Sequence, residues 1–131
     1  MVRVFVACEG ESLDVIGYYY LCLTSYKIGT VDDNADAKFR RVEAVPAVYL
    51  GMIGVHSDCQ RIGIGKKLMR DAMLRTVQIA ENAGTYALAL DALDANLVTY
   101  YRDQFGFQSF KEGCGLEMYL PLKTIQAALA S

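Results

Sequence analysis

The chain has 131 residues, of which 53% are hydrophobic and 21% are charged, and its net charge at pH 7 is −2. This length and composition exclude a disordered chain and predict one globular domain covering residues 1–131. The acidic balance gives the whole molecule no attraction to nucleic acid, and the absence of a run of about 18 apolar residues argues against a membrane span.

The first part of the chain predicts an antiparallel hairpin followed by a polar loop. Residues 2–8 and 15–26 are rich in β-branched and aromatic side chains and are separated by a short polar turn. Residues 28–44 are predicted to form a loop. Arg40 and Arg41 belong to the only dense basic cluster outside the glycine-rich turn described below, and a solvated loop is the alternative to a binding role.

A buried strand, a glycine-rich turn and an amphipathic helix are predicted at the centre of the sequence. Residues 48–55 form an apolar run, and apolar side chains recur at helical spacing along residues 64–83. Gly84 is predicted to cap the end of this helix. Residues 85–91 predict a second buried strand, so residues 48–91 are expected to form a right-handed crossover between parallel strands.

The rest of the chain predicts a short helix, a closing hairpin and a helical tail. These are placed at residues 96–104, 107–110 with 115–120, and 122–130. Antiparallel strands on both sides of the parallel crossover predict a mixed sheet. In such a sheet a ligand is expected at the carboxyl ends of the central strands.

The turn between the central strand and the helix carries the strongest functional signal. Its residues, in order, are Gln60, Arg61, Ile62, Gly63, Ile64, Gly65 and Lys66. Two glycines in this position expose backbone N–H groups at a helix N-terminus, where the helix dipole also favours negative charge. The turn is therefore predicted to bind a pyrophosphate, and a glycine-rich turn with a purely structural role is the alternative.

Two common phosphate-binding motifs do not fit this turn. A dinucleotide-binding fingerprint requires a third glycine where Leu68 stands. A Walker A loop requires glycine in place of Gln60 and Ser or Thr in place of Lys67. The remaining pattern, Gln-x-x-Gly-x-Gly, resembles the acetyl-CoA loop of the GNAT N-acetyltransferase superfamily.

The resemblance extends over most of the chain. The apolar run 48–55, the segment 88–92 and the pair Tyr100-Tyr101 before Gly106 resemble the GNAT strands and the tyrosine-bearing helix. Narrower details are similar to the toxin-type GNAT enzymes of bacterial toxin–antitoxin pairs, which acetylate the α-amine of aminoacyl-tRNA. These details are Val45-Pro46, Asp71-Ala72 and Leu90-Asp91-Ala92.

The resemblance implies an α+β, α/β/α-layered GNAT acyl-CoA acyltransferase fold with acetyl-CoA as co-substrate. It implies that backbone groups of Ile53, Gly54 and Val55 pair with the pantetheine arm, and that residues 60–66 hold the pyrophosphate. Its transfer mechanism is direct, without an acyl-enzyme, and a tyrosine protonates the departing thiolate. Counting forward from Asp91 favours Tyr101 for that role. Counting back from Gly106 leaves Tyr100 or a bulged helix as the alternative, because the intervening segment is one residue longer than usual.

Other residues predict no metal site and no general base. The four cysteines are scattered without a C-x-x-C pair, and His56, the single histidine, is expected to be a solvated loop residue. Reduced thiols and the lack of a signal-peptide pattern predict a cytoplasmic location.

The opening of the chain departs from the family pattern. GNAT domains usually begin with a strand and two helices, whereas Met1 leads almost directly into a segment that resembles the second strand. The expected enzyme is therefore short in its acceptor half. A partner subunit, such as a second copy in a homodimer, would complete this half, and the alternative is a shortened form with weak or no transferase activity. The expected partners are a tRNA acceptor, with Arg40 and Arg41 as contacts, and an antitoxin protein. The alternatives are a non-catalytic acetyl-CoA-binding module and an acetyltransferase of a small amine or a protein N-terminus.

Overall fold

The computed structural model describes residues 3–8, 15–27, 44–55, 63–110 and 115–130. Within these ranges the chain forms a six-stranded sheet and three helices. In chain order the elements are β1 (Arg3–Cys8), β2 (Val15–Lys27), β3 (Ala44–Val55), α1 (Ile64–Asn82), β4 (Ala87–Asp91), α2 (Ala95–Phe105), β5 (Gln108–Ser109), β6 (Glu117–Pro121) and α3 (Leu122–Ala130).

The sheet is mixed and mostly antiparallel. Its strands lie in the order β1-β2-β3-β4-β6-β5, and only β3 and β4 are parallel neighbours in the described residues. Helix α1 connects these two parallel strands, as the strand–helix–strand pattern predicted. The predicted hairpins at the two ends of the sheet are also present. The mixed-sheet prediction is therefore confirmed.

Some predicted boundaries are wrong. Strand β3 begins at Ala44, which the sequence placed in the preceding loop, and residues 28–43 of that loop lie outside the described residues. Gly84 does not cap α1. The cap is Ala83 in an extended conformation (φ −149°, ψ 140°), and its N–H donates to the Ile79 carbonyl at 2.9 Å. An extended residue ends the helix without requiring the left-handed conformation that glycine provides.

Alternating side chains divide the core into two clusters, one on each face of the sheet. Successive residues of a strand point to opposite faces, so strands buried on both sides contribute to both clusters. The strand residues of the first cluster are Tyr19, Leu21, Val48, Leu50, Leu88, Leu90, Met118 and Leu120. Those of the second are Val45, Ala47, Ala87, Ala89 and Tyr119.

The three helices contribute to the first cluster. Helix α1 buries one stripe of residues against the sheet, namely Ile64, Leu68, Met69, Ala72, Met73 and Thr76. The Thr76 hydroxyl donates to the Ala72 carbonyl at 2.8 Å, so this buried polar group is satisfied. Burial of each large apolar side chain contributes about 1.5–3 kcal/mol. In the ranges that the structure describes, no helix has the length and apolar content required to cross a lipid bilayer.

A polar network links α1 to the first hairpin. The buried Tyr19 hydroxyl donates to the carboxylate of Asp71, which also accepts a hydrogen bond from Arg75 Nε at 3.0 Å. The Arg75 guanidinium lies 3.9 Å from the ring centroid of Phe5, which stacks on Tyr19. Burial acts to raise the pKa of Asp71, but the hydrogen bonds from Tyr19 and Arg75 outweigh it and hold this pKa below its usual value.

This network predicts an acid-dependent contribution to stability. Because the pKa of Asp71 is lower in the folded state, its contribution is complete above the unfolded-state pKa of about 4 and is lost as the pH falls below it. Asp71→Asn should lower the free energy of unfolding at pH 7 by about 1 kcal/mol, a modest value because the carboxylate is partly exposed.

Urea unfolding of wild type and Asp71→Asn at pH 7 and pH 3 measures this effect. The difference between the two proteins should shrink at pH 3, and Glu81→Gln on the exposed face of α1 is the matched control. A difference that is the same at both pH values would contradict the assignment.

Candidate active site

The two parallel strands separate towards their carboxyl ends. β3 and β4 pair only through residues 47–49 and 87–89. Beyond this point, in the described residues, β3 pairs with β2 alone as far as Val55, and β4 pairs with β6 alone as far as Asp91. The sheet therefore opens as a wedge. We call it the β3–β4 wedge, and one of its walls is the free strand edge of residues 50–55.

A bulge in β3 lies on the wall of this wedge. Tyr18 is opposite Gly54 and Tyr20 is opposite Gly51, so between these pairs β3 has two residues where β2 has one. Such an insertion bends a strand and increases its local twist. A Cβ at either glycine would lie closer than 3.0 Å to the ring of the tyrosine opposite it. Both glycines are therefore required for the tyrosine rings to lie across the strand.

The N-terminus of α1 follows the wedge in the chain and is not capped by a side chain. Its first residue outside the helix, Gly63, has a left-handed conformation with φ 83°. The first helical hydrogen bond runs from Lys67 N–H to the Gly63 carbonyl, at 3.2 Å. The N–H groups of Ile64, Gly65 and Lys66 precede this bond and have no partner within the helix. With no acidic residue in the first turn, these donors can hold an anion.

A cleft of about 390 Å³ lies between the wedge and α2. Its walls are apolar apart from three tyrosines and one carboxylate, and its lining residues are Tyr20, Tyr49, Leu50, Ile53, Leu90, Asp91, Leu93, Leu97 and Tyr101. A larger cavity of about 540 Å³ lies between the first hairpin and the second half of α1. That cavity shares no lining residue with the wedge cleft. It is the weaker candidate because neither the free edge of β3 nor Tyr101 lies in its wall.

Tyr101 lies in the wall of the cleft, whereas Tyr100 does not. The Tyr101 ring is half-buried, and its centroid is 5.9 Å from that of Phe107. Burial, and secondarily the neighbouring Tyr100, raise the pKa of Tyr101, so its hydroxyl stays protonated at neutral pH. Tyr100 is 37% exposed and packs edge-on against Tyr101 with centroids 5.5 Å apart.

The two ends of α2 determine which tyrosine faces the cleft. At the N-terminus the Asp94 side chain accepts a hydrogen bond from the Leu97 N–H at 2.9 Å. At the C-terminus Gly106 is left-handed (φ 88°) and its N–H donates to the Arg102 carbonyl at 3.0 Å. Helix α2 extends to Phe105 and so contains the whole of the longer segment before Gly106. This segment is the one that left the choice of tyrosine open in the sequence.

Other predicted site residues differ in how much the structure says of them. Ile53 and Gly54 are described on the wedge wall, and Val55 is described through its backbone pairing with Gly17. Five others lie outside the described residues, namely Arg40, Arg41, Gln60, Arg61 and Ile62. Among the side chains that are described, no three His, Cys, Asp or Glu come together as a metal site would require.

Sequence reasoning did not identify Tyr49 and Asp91 as cleft residues. The Tyr49 hydroxyl donates to Asp91 Oδ2 at 2.7 Å. Burial, followed by this hydrogen bond to Asp91, raises the pKa of Tyr49. One signal was present, since Asp91 is the polar residue that ends a buried strand at its carboxyl end, where ligands of such sheets bind.

The comparison with protein families agrees with this geometry. Residues 3–107 match the pattern of the Acetyltransferase (GNAT) family. The chain belongs to the GNAT family. The predicted family, fold and acyltransferase class are therefore confirmed, and acetyl-CoA is the acetyl donor of this family.

Two relatives and one solved structure illustrate the similarity. The probable toxin TacT of Sinorhizobium fredii is 30% identical over 98% of this chain and 74% of its own length. The tRNA-acetylating toxin of Mycobacterium tuberculosis is 30% identical over 76% of this chain and 57% of its own length. AtaT complexed with acetyl-methionyl-tRNAfMet is 22% identical, with a TM-score of 0.86 over 98% of this chain and 75% of that chain.

Because Gly63 has a left-handed conformation, the addition of a single methyl group at this residue should weaken acetyl-CoA binding. Gly63→Ala meets no atom within 4 Å, so its cost of about 1–2 kcal/mol comes from the backbone conformation alone. Alanine should draw the turn out of this conformation and misalign the N–H groups of α1. We expect roughly 5- to 30-fold weaker binding of acetyl-CoA in calorimetric titration.

Gly84→Ala is the matched control for this substitution. Gly84 also has open space around it but does not have a positive φ. It should leave acetyl-CoA affinity unchanged. Equal effects of the two substitutions would remove Gly63 from the binding site.

Proposed function

We propose that this protein transfers an acetyl group from acetyl-CoA to a primary amine in the β3–β4 wedge. The observation that carries the proposal is the free edge of β3 leading towards the uncapped N-terminus of α1. An extended pantetheine arm pairs with such an edge as an added strand would, through the backbone of Ile53 and Val55. The pyrophosphate then lies at the N–H groups of residues 63–66.

The proposed reaction is a direct transfer. The nitrogen of the neutral amine attacks the thioester carbon, the C–S bond breaks, and the sulfur takes a proton from the Tyr101 hydroxyl. Burial raises the pKa of Tyr101, so its hydroxyl carries the proton at neutral pH and can donate it to the sulfur. Most of the cleft wall around the tyrosine is apolar, and the polar groups in it are three tyrosines and Asp91.

Removal of the Tyr101 hydroxyl should separate catalysis from binding. A positioned acid is worth about 10²–10⁴-fold in rate, so Tyr101→Phe should lower kcat by that range while the dissociation constant of acetyl-CoA stays unchanged. The readouts are thiol release from acetyl-CoA and calorimetric titration. Tyr100→Phe, at the exposed neighbouring ring, should keep wild-type kcat. A loss confined to Tyr100→Phe would reverse the assignment.

For the acceptor we propose the α-amine of aminoacyl-tRNA. Support comes from the name of the M. tuberculosis relative, a tRNA-acetylating toxin, and from the acetyl-methionyl-tRNA bound to AtaT. With a net charge of −2, phosphate contacts on this chain require a local basic patch. Arg40 and Arg41 are the proposed patch.

A charge reversal in that patch tests the acceptor. Arg40→Glu should weaken turnover with aminoacyl-tRNA and reduce its salt dependence by about one phosphate contact, while turnover with a small amine stays unchanged. Steady-state rates between low and moderate salt provide the measurement. If turnover with tRNA is unaffected and a small amine or peptide N-terminus is used better, the tRNA proposal fails.

The remaining expectations about partners and location stay predictions. The similarity to a probable toxin favours an antitoxin partner and action inside the cell. The exposed apolar side chains of Val4 and Val6 on the outer hairpin are compatible with the expected homodimer. The whole chain, residues 1–131, is proposed to act as one domain.

A further inference from the structure

A side-chain hydrogen bond crosses the wedge next to the point where backbone pairing ends. Tyr49 belongs to the last pair between β3 and β4, opposite Ala89. Asp91 lies two residues further along β4, and its Oδ2 accepts the Tyr49 hydroxyl at 2.7 Å. Both residues line the same cleft as Tyr101. The carboxylate of Asp91 is thus part of the cleft in which the transfer is proposed to take place.

The surroundings of this carboxylate are negative. Glu117 is the register partner of Asp91 on β6, so the two side chains lie side by side on one face of the sheet. Burial first, then the charges of Asp91 and Glu117, raise the pKa of Tyr26 on the same face to about 12. Among the ion pairs formed by described residues, none neutralises Asp91. An exposed carboxylate with this environment attracts a cation from solution.

We propose that Asp91 binds the ammonium group of the acceptor and that Tyr49 is the positioning residue for its carboxylate. The inference rests on the transferase function proposed above. Tyr49 donates to Oδ2, which leaves Oδ1 free to accept a hydrogen bond from an ammonium group. The ligand class is therefore a primary ammonium at the end of a larger molecule, and an alcohol or an acylated amine lacks the charge that this carboxylate recognises.

The protons of the reaction balance with Asp91 in this role. The bound ammonium gives one proton to water, and the freed nitrogen lone pair forms the C–N bond as the C–S bond breaks. The nitrogen loses its second proton as the amide forms, and this proton replaces the one that Tyr101 gives to the sulfur. The products are the amide, CoA with a free thiol and one proton in solution, and no further reactant is required.

The test separates recognition of charge from general effects on the cleft. Asp91→Asn keeps the shape and should raise the KM for aminoacyl-tRNA about 10- to 100-fold, with acetyl-CoA affinity and melting temperature unchanged. Tyr49→Phe should raise the same KM less, because the carboxylate remains but is no longer oriented. Asp103→Asn on the exposed face of α2 is the control for loss of one negative charge.

A deaminated acceptor makes the test specific. The α-hydroxyacyl-tRNA prepared from the same aminoacyl-tRNA has no ammonium group and serves as a competitive inhibitor. Its inhibition constant should be the same for wild type and Asp91→Asn. An equal change for both tRNAs, or an unchanged KM for aminoacyl-tRNA, overturns the inference. Tyr49→Phe is compared in the same way, so that the test still holds if Asp91→Asn is less stable than wild type.

The outcome also distinguishes this inference from the proposed function. If the wild-type protein transfers acetyl to a different primary amine, that amine and its alcohol replace the two tRNAs, and a charge-selective effect of Asp91→Asn still supports the inference. If wild type transfers acetyl to no amine, the proposed function and the inference fail together. If wild type is active and the variant keeps its KM, only the role of Asp91 fails.

Discussion

The proposed site depends on the point at which β3 and β4 stop sharing backbone hydrogen bonds. Three residue pairs hold the parallel strands together, and beyond them each strand keeps only its outer neighbour. The described edge of β3 beyond Tyr49 has donors and acceptors that an extended ligand can use. The bulge opposite Tyr19, and the tyrosine rings packed over Gly51 and Gly54, accompany this separation.

The two ends of the proposed site favour ligand groups of opposite charge. At the α1 end, where we propose that the pyrophosphate of the donor binds, the uncapped N–H groups and Lys66 supply positive charge. At the β4 end, Asp91 and Glu117 favour a positive acceptor. Tyr101, in the wall of the same cleft, is neutral at pH 7, and burial raises its pKa further. The net charge of the chain is only −2, but its local charges are arranged to suit one anionic and one cationic ligand.

Local patterns in the sequence predicted much of this arrangement, whereas contacts between distant segments were not predicted. The glycine turn, α1 and both hairpins follow from spacing over a few residues, and Gly63 has the left-handed conformation that such a turn requires. The bulge that accompanies the separation of β3 from β4 is a register shift between strands about 35 residues apart, which no local pattern encodes. The same holds for the hydrogen bond from Tyr49 to Asp91. The choice between Tyr101 and Tyr100 depended on where α2 ends.

The central claim is that the wedge and the α1 N-terminus together bind acetyl-CoA, and one calorimetric comparison tests it most directly. The folded protein is titrated with acetyl-CoA and with S-acetylpantetheine, which keeps the strand-like arm but lacks the pyrophosphate. We expect micromolar binding of acetyl-CoA, about −8 kcal/mol, and at least roughly tenfold weaker binding of S-acetylpantetheine. Equal affinities would contradict a role of the α1 N-terminus, and no binding of either ligand would contradict the site as a whole.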